Sequence, residues 1–108
     1  MKGEWAQMDV EEIMLGNIKK QPALYLGRPS LTLLSTFMNG YLARQYEIYA
    51  NTQPYYDSEK FQKYVKGYYG VSENAFNYYS IICDNCSDEE EAFYKFYELL
   101  EAFKSENP

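Results

Sequence analysis

The residues best suited by type and spacing to chemistry are Cys83 and Cys86, which form a C-x-x-C pair. Such a pair at a helix N-terminus lowers a thiol pKa and supports dithiol exchange. Here the helical pattern places it at the end of a helix, and no β-α-β pattern surrounds it. A zinc site needs four ligands, and the chain has one cysteine pair and no histidine. We therefore expect reduced, structural cysteines and no metal or other cofactor, with a zinc ion shared between two chains as the remaining alternative.

Carboxylates form the second group, in the consecutive run Asp88 to Glu91. On a helix such a run radiates around the axis, whereas general acid–base catalysis or a metal site needs carboxylates that converge on one point. Ser87 and Glu90 have the spacing of a capping box, and acidic residues suit the first turn of a helix. Because no general base or nucleophile can be nominated, the sequence predicts a protein that is not an enzyme.

A third group surrounds the turn before the second predicted helix. Lys19, Lys20 and Arg28 bracket this turn, which leads into a helix capped by Ser30. A helix N-terminus with basic residues nearby favours anions, so Arg28 and Ser30 are an anion-site candidate. This site would suit a small-ligand-binding regulatory or adaptor domain, which is our alternative function. The structural alternative is that Arg28 caps carbonyls or pairs with a carboxylate.

Tyrosine is unusually abundant, with 13 Tyr beside 6 Phe and 1 Trp in 108 residues. A tyrosine ring can fill a core while its hydroxyl reaches a carbonyl or water at the edge. Tyrosine pairs occur at 55–56, 68–69 and 78–79. Adjacent helix positions cannot both face the core, so some of these rings are expected at the surface. Exposed tyrosine beside acid is typical of a protein-binding patch, although the rings could equally cover a small, loosely closed bundle.

The net charge of −6 is concentrated at one end of the chain. From Asp84 onward there are eight acidic residues and two lysines, whereas the preceding residues balance eight acids with eight bases. Such a segment repels nucleic acid and attracts a basic protein partner. The alternative is an ordinary solvated helix face.

Helical periodicity accounts for most of the chain, and no segment alternates as a strand would. The five predicted helices begin after caps at Asp9, Ser30, Asp57 or Ser58, Ser72 and Ser87. Their expected inward faces include Val10, Ile13, Met14 and Ile18 in the first helix, Leu34, Met38, Tyr41, Leu42, Gln45 and Tyr49 in the second, Phe61, Tyr64, Val65 and Tyr68 in the third, Ala75, Tyr78, Tyr79 and Ile82 in the fourth, and Ala92, Phe93, Phe96, Leu99, Leu100 and Phe103 in the fifth.

These patterns predict an all-α fold, a single domain over residues 1–108 built as a compact bundle of about five helices. Residues 1–7 and 105–108 are expected to be loose termini. Gly40 costs about 1 kcal/mol relative to alanine inside a helix, which predicts close approach by a neighbouring element there. The first ten residues have no apolar signal-peptide core and no apolar run reaches 18 residues, so we expect a cytoplasmic protein without a membrane partner.

Three segments, taken in order, resemble a group of small bacterial immunity proteins encoded beside polymorphic or contact-dependent toxins. The run IKKQPALYLGRPSLTLLSTFMNGY at 18–41 is similar to the group's RPxMYLGxxSLxxLxxFLxGY pattern. The run FQKYVKGYYG at 61–70 is similar to FxxWVxxYY, with Tyr64 in place of Trp. The run DEEEAFYKFYELLEAFK at 88–104 is similar to DEExAxxxFFELLxEFK. Gln21 also departs from the pattern, which has arginine there.

The resemblance implies a helical domain that neutralises a cognate toxin by binding it. The matched residues set turns and packing and do not specify a binding surface. From charge and composition we expect partner contacts at acidic residues of the last helix and at nearby tyrosines, with a homodimer as a further alternative. The candidate partner-binding residues are Glu90, Glu91, Tyr94, Glu98, Glu101, Tyr68, Tyr69 and Tyr78.

Overall fold

The structure is a computed structural model that describes residues 10–48, 54–72 and 77–107. These residues form six α-helices and no β-strand, which confirms the predicted all-α fold. The helices are α1 (Val10–Lys20), α2 (Pro22–Leu26), α3 (Leu31–Ile48), α4 (Ser58–Tyr69), α5 (Tyr78–Asp84) and α6 (Glu89–Glu106). Five of them correspond to the predicted helices, and the short α2 is additional.

Helix α6 is the centre of the bundle and packs against α3, α4 and α5. Its whole predicted apolar face is buried, as are Tyr97 and, on the facing helices, Leu31, Leu34, Met38, Val65 and Ile82. Phe61 of α4 is fully buried and lies edge-on to two rings of α6, with centroids 6.0 Å from Phe96 and 5.3 Å from Phe103. Burying side chains of this size is the main source of stability in a domain of this length.

Buried tyrosines place their hydroxyls on polar partners at the edge of this core, as predicted. The Tyr97 hydroxyl donates to the Leu15 carbonyl at 2.7 Å and thereby ties α6 to α1. The hydroxyls of Tyr56 and Tyr78 lie 2.7 Å apart. Burial raises the pKa of Tyr56, and the nearby Tyr79 and Tyr78 raise it further by smaller amounts. The core therefore contains neutral, hydrogen-bonded phenols.

The segment between α1 and α3 contains a helix that the sequence analysis interpreted as a turn. Pro22 ends α1 and also starts α2, because proline is tolerated in the first turn, where its missing N–H is not needed. Gly27 then reverses the chain with φ of 87°, a conformation that favours glycine. Five residues are too few to show helical periodicity, which explains why the pattern did not reveal α2.

Two predicted caps are displaced in the structure. Helix α5 begins after Asn77, whose side chain accepts from the Ser80 N–H, so the predicted cap at Ser72 is wrong. Helix α6 is capped by Asp88, which accepts from the Glu91 N–H, rather than by Ser87. The predicted caps at Asp57 and Ser30 are confirmed, since Asp57 accepts from the first turn of α4 and the Ser30 hydroxyl accepts from the Leu33 N–H.

The inward face of α1 also differs from the prediction. Glu11, Leu15 and Ile18 are buried, whereas Ile13 is exposed. Glu11 enters the buried face because its carboxylate accepts from the Tyr55 N–H at 2.9 Å, a tertiary contact that hydrophobic periodicity does not encode. Helix α6 continues to Glu106, two residues into the segment expected to be loose. The predicted cap at Asp9, the inward positions Tyr49 and Ala75 and the terminus at 1–7 lie outside the described residues.

Candidate functional site

The outward side of α6 carries the acidic residues that the sequence singled out. We call the exposed set Glu90, Glu91, Tyr94, Glu98 and Glu101 the acidic face. The helical repeat places these residues along one side, opposite the apolar side that faces the core. The sequence prediction therefore selected side chains that share a surface.

Three of the four carboxylates on the acidic face already have partners within the chain. Glu101 pairs with Lys19 of α1 at 2.6 Å, and Glu98 pairs with Lys95 at 3.1 Å. Glu91 accepts from the Ser87 hydroxyl at 2.9 Å. Hydrogen bonds from the Ser87 backbone and side chain hold the pKa of Glu91 below its ordinary value.

Glu90 and Tyr94 form the open part of the acidic face. Neither side chain makes a hydrogen bond or an ion pair with the described part of the chain. Tyr94 is 44% exposed, and its ring lies edge-on to the buried Phe93 with centroids 4.9 Å apart. The pair offers an external group one carboxylate and one aromatic surface, one helical turn apart.

The three candidate tyrosines outside α6 have different environments. Tyr68, near the end of α4, is 52% exposed, and the Lys95 ammonium lies 5.5 Å from its ring centroid. Tyr69 is half-buried. Its burial, with a smaller contribution from the nearby Cys86, raises its pKa to about 12. Although the Tyr69 hydroxyl and the Cys86 thiol are close, the buried Tyr69 hydroxyl has no hydrogen-bond partner among the described residues. Tyr68 borders the acidic face through Lys95, whereas Tyr69 points into the protein.

Tyr78 belongs to the core. Its ring centroid lies 4.8 Å from that of Phe61, and its hydroxyl is bonded to Tyr56. Burial raises its pKa. The structure therefore places Tyr78 in a packing role, as its position on the predicted inward face of the fourth helix indicates, and not beside the acidic face.

The alternative anion site is filled by the protein itself. The Glu89 carboxylate lies at the N-terminus of α3, where it accepts from the Thr32 N–H at 2.8 Å, the Thr32 hydroxyl at 2.8 Å and the Ser30 hydroxyl at 2.9 Å. Burial acts to raise the pKa of Glu89, but the bonds from Thr32, Ser30 and Cys83 together lower it. The donors that would bind an external anion are thus committed to Glu89.

Arg28 does not take part in this arrangement. It is exposed and has no hydrogen bond or ion pair with the described residues, so the predicted contact of Arg28 with carbonyls or a carboxylate is not observed there. Ser30 and Arg28 therefore do not form a joint site in this structure.

The cysteines lie where the sequence predicted, at the end of α5 and in the turn beyond it. Both are free thiols. The pKa of Cys83 is raised by burial and then by Glu89, and the pKa of Cys86 is raised by burial and then by Glu91. Because the thiolate is the nucleophile, these surroundings oppose dithiol chemistry.

One open depression of about 570 Å³ lies between the start of α4 and the end of α6, and its wall includes Tyr55, Asp57, Phe103 and Lys104. Asp57 accepts from the Glu59 and Lys60 N–H groups, and Lys104 donates to the Tyr55 carbonyl at 3.0 Å. These charged groups are therefore engaged in holding the chain together.

Sequence reasoning missed Glu89 and Lys95. The Lys95–Glu98 spacing of three on a helix is a signal that could have revealed their pair. Glu89 bonds to residues 57 and 59 positions away, and no local pattern encodes this contact.

No protein-family model, curated protein or solved structure matches this chain. The relation to immunity proteins therefore stays a prediction from the sequence. Among the described residues, no helix has the length and apolar character needed to cross a membrane.

Proposed function

We propose that this protein is a non-enzymatic binding domain that attaches to a basic protein partner through the acidic face of α6. The resemblance of its sequence motifs makes a toxin domain the preferred partner and neutralisation by direct binding the preferred activity. The observation that carries the proposal is the exposed pair Glu90 and Tyr94, which has no polar partner in the described chain.

The chemistry of this pair suits a basic protein. A carboxylate at the rim of an interface steers a cationic partner, and a tyrosine supplies contact area with only two rotatable side-chain bonds. Tyr94 is also supported from behind by Phe93, so little conformational freedom is lost when a partner covers its ring. If the partner is a nuclease toxin, its nucleic-acid site is basic and would be blocked by this face.

The first experiment is affinity purification of the tagged protein from its native cell, with partners identified by mass spectrometry. The product of the neighbouring gene, co-expressed with the protein, is included as a candidate. We expect a stoichiometric complex with a basic protein, and we expect this complex to weaken as the salt concentration rises. Recovery of the protein alone, as a monomer or homodimer, would contradict the proposal.

The reconstituted complex then tests the surface. Glu90→Lys is expected to weaken binding at least about tenfold, because it places like charge at the rim without breaking an intrachain contact. Glu59→Lys is the matched control: it changes the net charge equally but lies exposed in the first turn of α4. Reversing Glu91, Glu98 and Glu101 is less informative, since each has an intrachain partner. Equal effects of Glu90→Lys and Glu59→Lys would exclude the acidic face as the contact surface.

A further inference from the structure

The bundle holds three of its own lysines in the same way. In each case an ammonium lies near a tyrosine ring and close to an oxygen acceptor, with Nζ-to-centroid distances of 4.4 to 5.6 Å. The three sets are Lys19 with Tyr97 and Glu101, Lys95 with Tyr68 and Glu98, and Lys104 with Tyr55 and its carbonyl. A tyrosine ring and an anionic oxygen together form a cation site.

Of the three sets, the Lys95 set has the exposed tyrosine ring, whereas Tyr55 is half-buried and Tyr97 is buried. Its Nζ lies 3.1 Å from Glu98 Oε2 and 3.4 Å from the Tyr68 hydroxyl. The Glu98 side chain is 66% exposed and Tyr68 is 52% exposed. The Lys95 side chain is itself 25% exposed. Because its carboxylate partner is in contact with solvent, the ion pair contributes little to stability, and Lys95 can leave at small cost. Tyr97, in contrast, is buried, which closes the Lys19 set from one side.

We propose that Tyr68 and Glu98 form a cation site that Lys95 fills in the free protein and that an arginine of the basic partner takes over on binding. This inference rests on the proposed function and defines how the partner is recognised. A guanidinium can donate two parallel hydrogen bonds to Glu98 and stack on Tyr68, whereas the lysine ammonium acts as a point charge. The displaced Lys95 has the Glu91 carboxylate one helical turn away, and the charge of Lys95 already acts on Glu91.

The test measures binding of a fluorescein-labelled octa-arginine peptide by fluorescence anisotropy at two salt concentrations. Lys95→Met keeps an unbranched stem of similar bulk but removes the competing charge. We expect it to tighten peptide binding about threefold to tenfold, a range typical of freeing one exposed ion pair and one ring contact. Adding Tyr68→Leu to Lys95→Met should abolish this gain, and octa-lysine should bind more weakly than octa-arginine.

Lys63→Met is the matched control, because Lys63 is exposed on α4 and its loss changes the net charge by the same amount. It should tighten binding less than about twofold. Equal gains from Lys95→Met and Lys63→Met would overturn the inference, as would equal binding of the two peptides. If the inference fails but Glu90→Lys still weakens peptide binding, the proposed function stands. If Glu90→Lys leaves peptide binding unchanged, the result counts against the proposed function itself. Circular dichroism checks that each variant folds.

A second readout follows Lys95 directly. Octa-arginine contains no lysine, so amine acetylation by acetic anhydride reports only on the protein. We expect the labelling rate of Lys95 to rise when the peptide is bound, while that of Lys63 stays constant. An unchanged or lower Lys95 rate at saturating peptide would show that Lys95 is not displaced.

Discussion

At the scale of single residues, two buried tyrosine hydroxyls differ in whether they have a hydrogen-bond partner. The Tyr97 hydroxyl donates to the Leu15 carbonyl, whereas the buried Tyr69 hydroxyl has no hydrogen-bond partner in the part of the chain that the structure describes. We expect Tyr97→Phe to lower the free energy of unfolding by about 1 kcal/mol, because a buried hydrogen bond between α6 and α1 is lost. Tyr69→Phe should leave it unchanged or raise it by up to about 1 kcal/mol, since it removes only a desolvated group. Urea unfolding of both variants checks this, and equal losses would contradict it.

At the scale of elements, Glu89 joins the start of α6 to the start of α3. Its lowered pKa means that the folded state favours the carboxylate, so its contribution is present above the unfolded pKa, near 4.3, and is lost as the pH falls through the lower folded value. We expect Glu89→Gln to cost about 1–2 kcal/mol at pH 7 and progressively less below about pH 4.5. Thermal unfolding between pH 3 and 7 measures this. A constant difference across that range would contradict the assignment.

Gly40 lies inside α3 and Gly70 follows the end of α4, so alanine substitutions at these two positions should have opposite effects on stability. A Cβ at Gly40 would have no heavy atom within 4 Å, so the close approach predicted from the sequence is not observed among the described residues. Gly70 ends α4 with φ of 66°. We therefore expect Gly40→Ala to stabilise the fold by about 0.5–1 kcal/mol and Gly70→Ala to destabilise it by about 1 kcal/mol. Melting temperatures of the two variants give the signs, and a loss with Gly40→Ala would indicate a contact at that face.

The elements also show how far sequence reasoning reached. Every predicted inward residue of α6 is buried, because Phe93, Phe96 and Phe103 repeat at helical spacing and local periodicity encodes a helix face; the buried Tyr97 was not predicted. The cap of α6 was misplaced by one residue, since Ser87 and Asp88 are both good capping residues. Tyr78 stood on two predicted lists, as an inward position by helical spacing and as a surface contact by composition; the structure supports the first, and the rings of both Tyr78 and Tyr79 stack on Phe96. The Glu89 contact with α3 depends on the tertiary fold and could not be predicted.

At the scale of the whole molecule, the acidic face is the outer side of the helix that contributes more buried core residues than any other described helix. Its charge acts over a Debye length of about 8 Å at physiological salt, so it affects encounter more than the lifetime of a complex. For the reconstituted complex we expect the association rate constant to fall about tenfold or more between 50 and 500 mM salt, with little change in dissociation. Stopped-flow mixing measures both. If salt acted mainly on dissociation, steering by this face would be ruled out.

Helix α6 lies at the centre of the bundle but is synthesised after the other described helices, which affects folding during synthesis. Helices α1 to α5 leave the ribosome before α6, yet α3, α4 and α5 pack on α6, and α1 is tied to it through Tyr97 and Glu101. The earlier helices therefore emerge with their apolar faces uncovered. We therefore expect cooperative folding only after α6 has left the ribosome. A nascent chain that stalls before Glu89 exposes Phe61 and the other core side chains and is a substrate for chaperones and proteases.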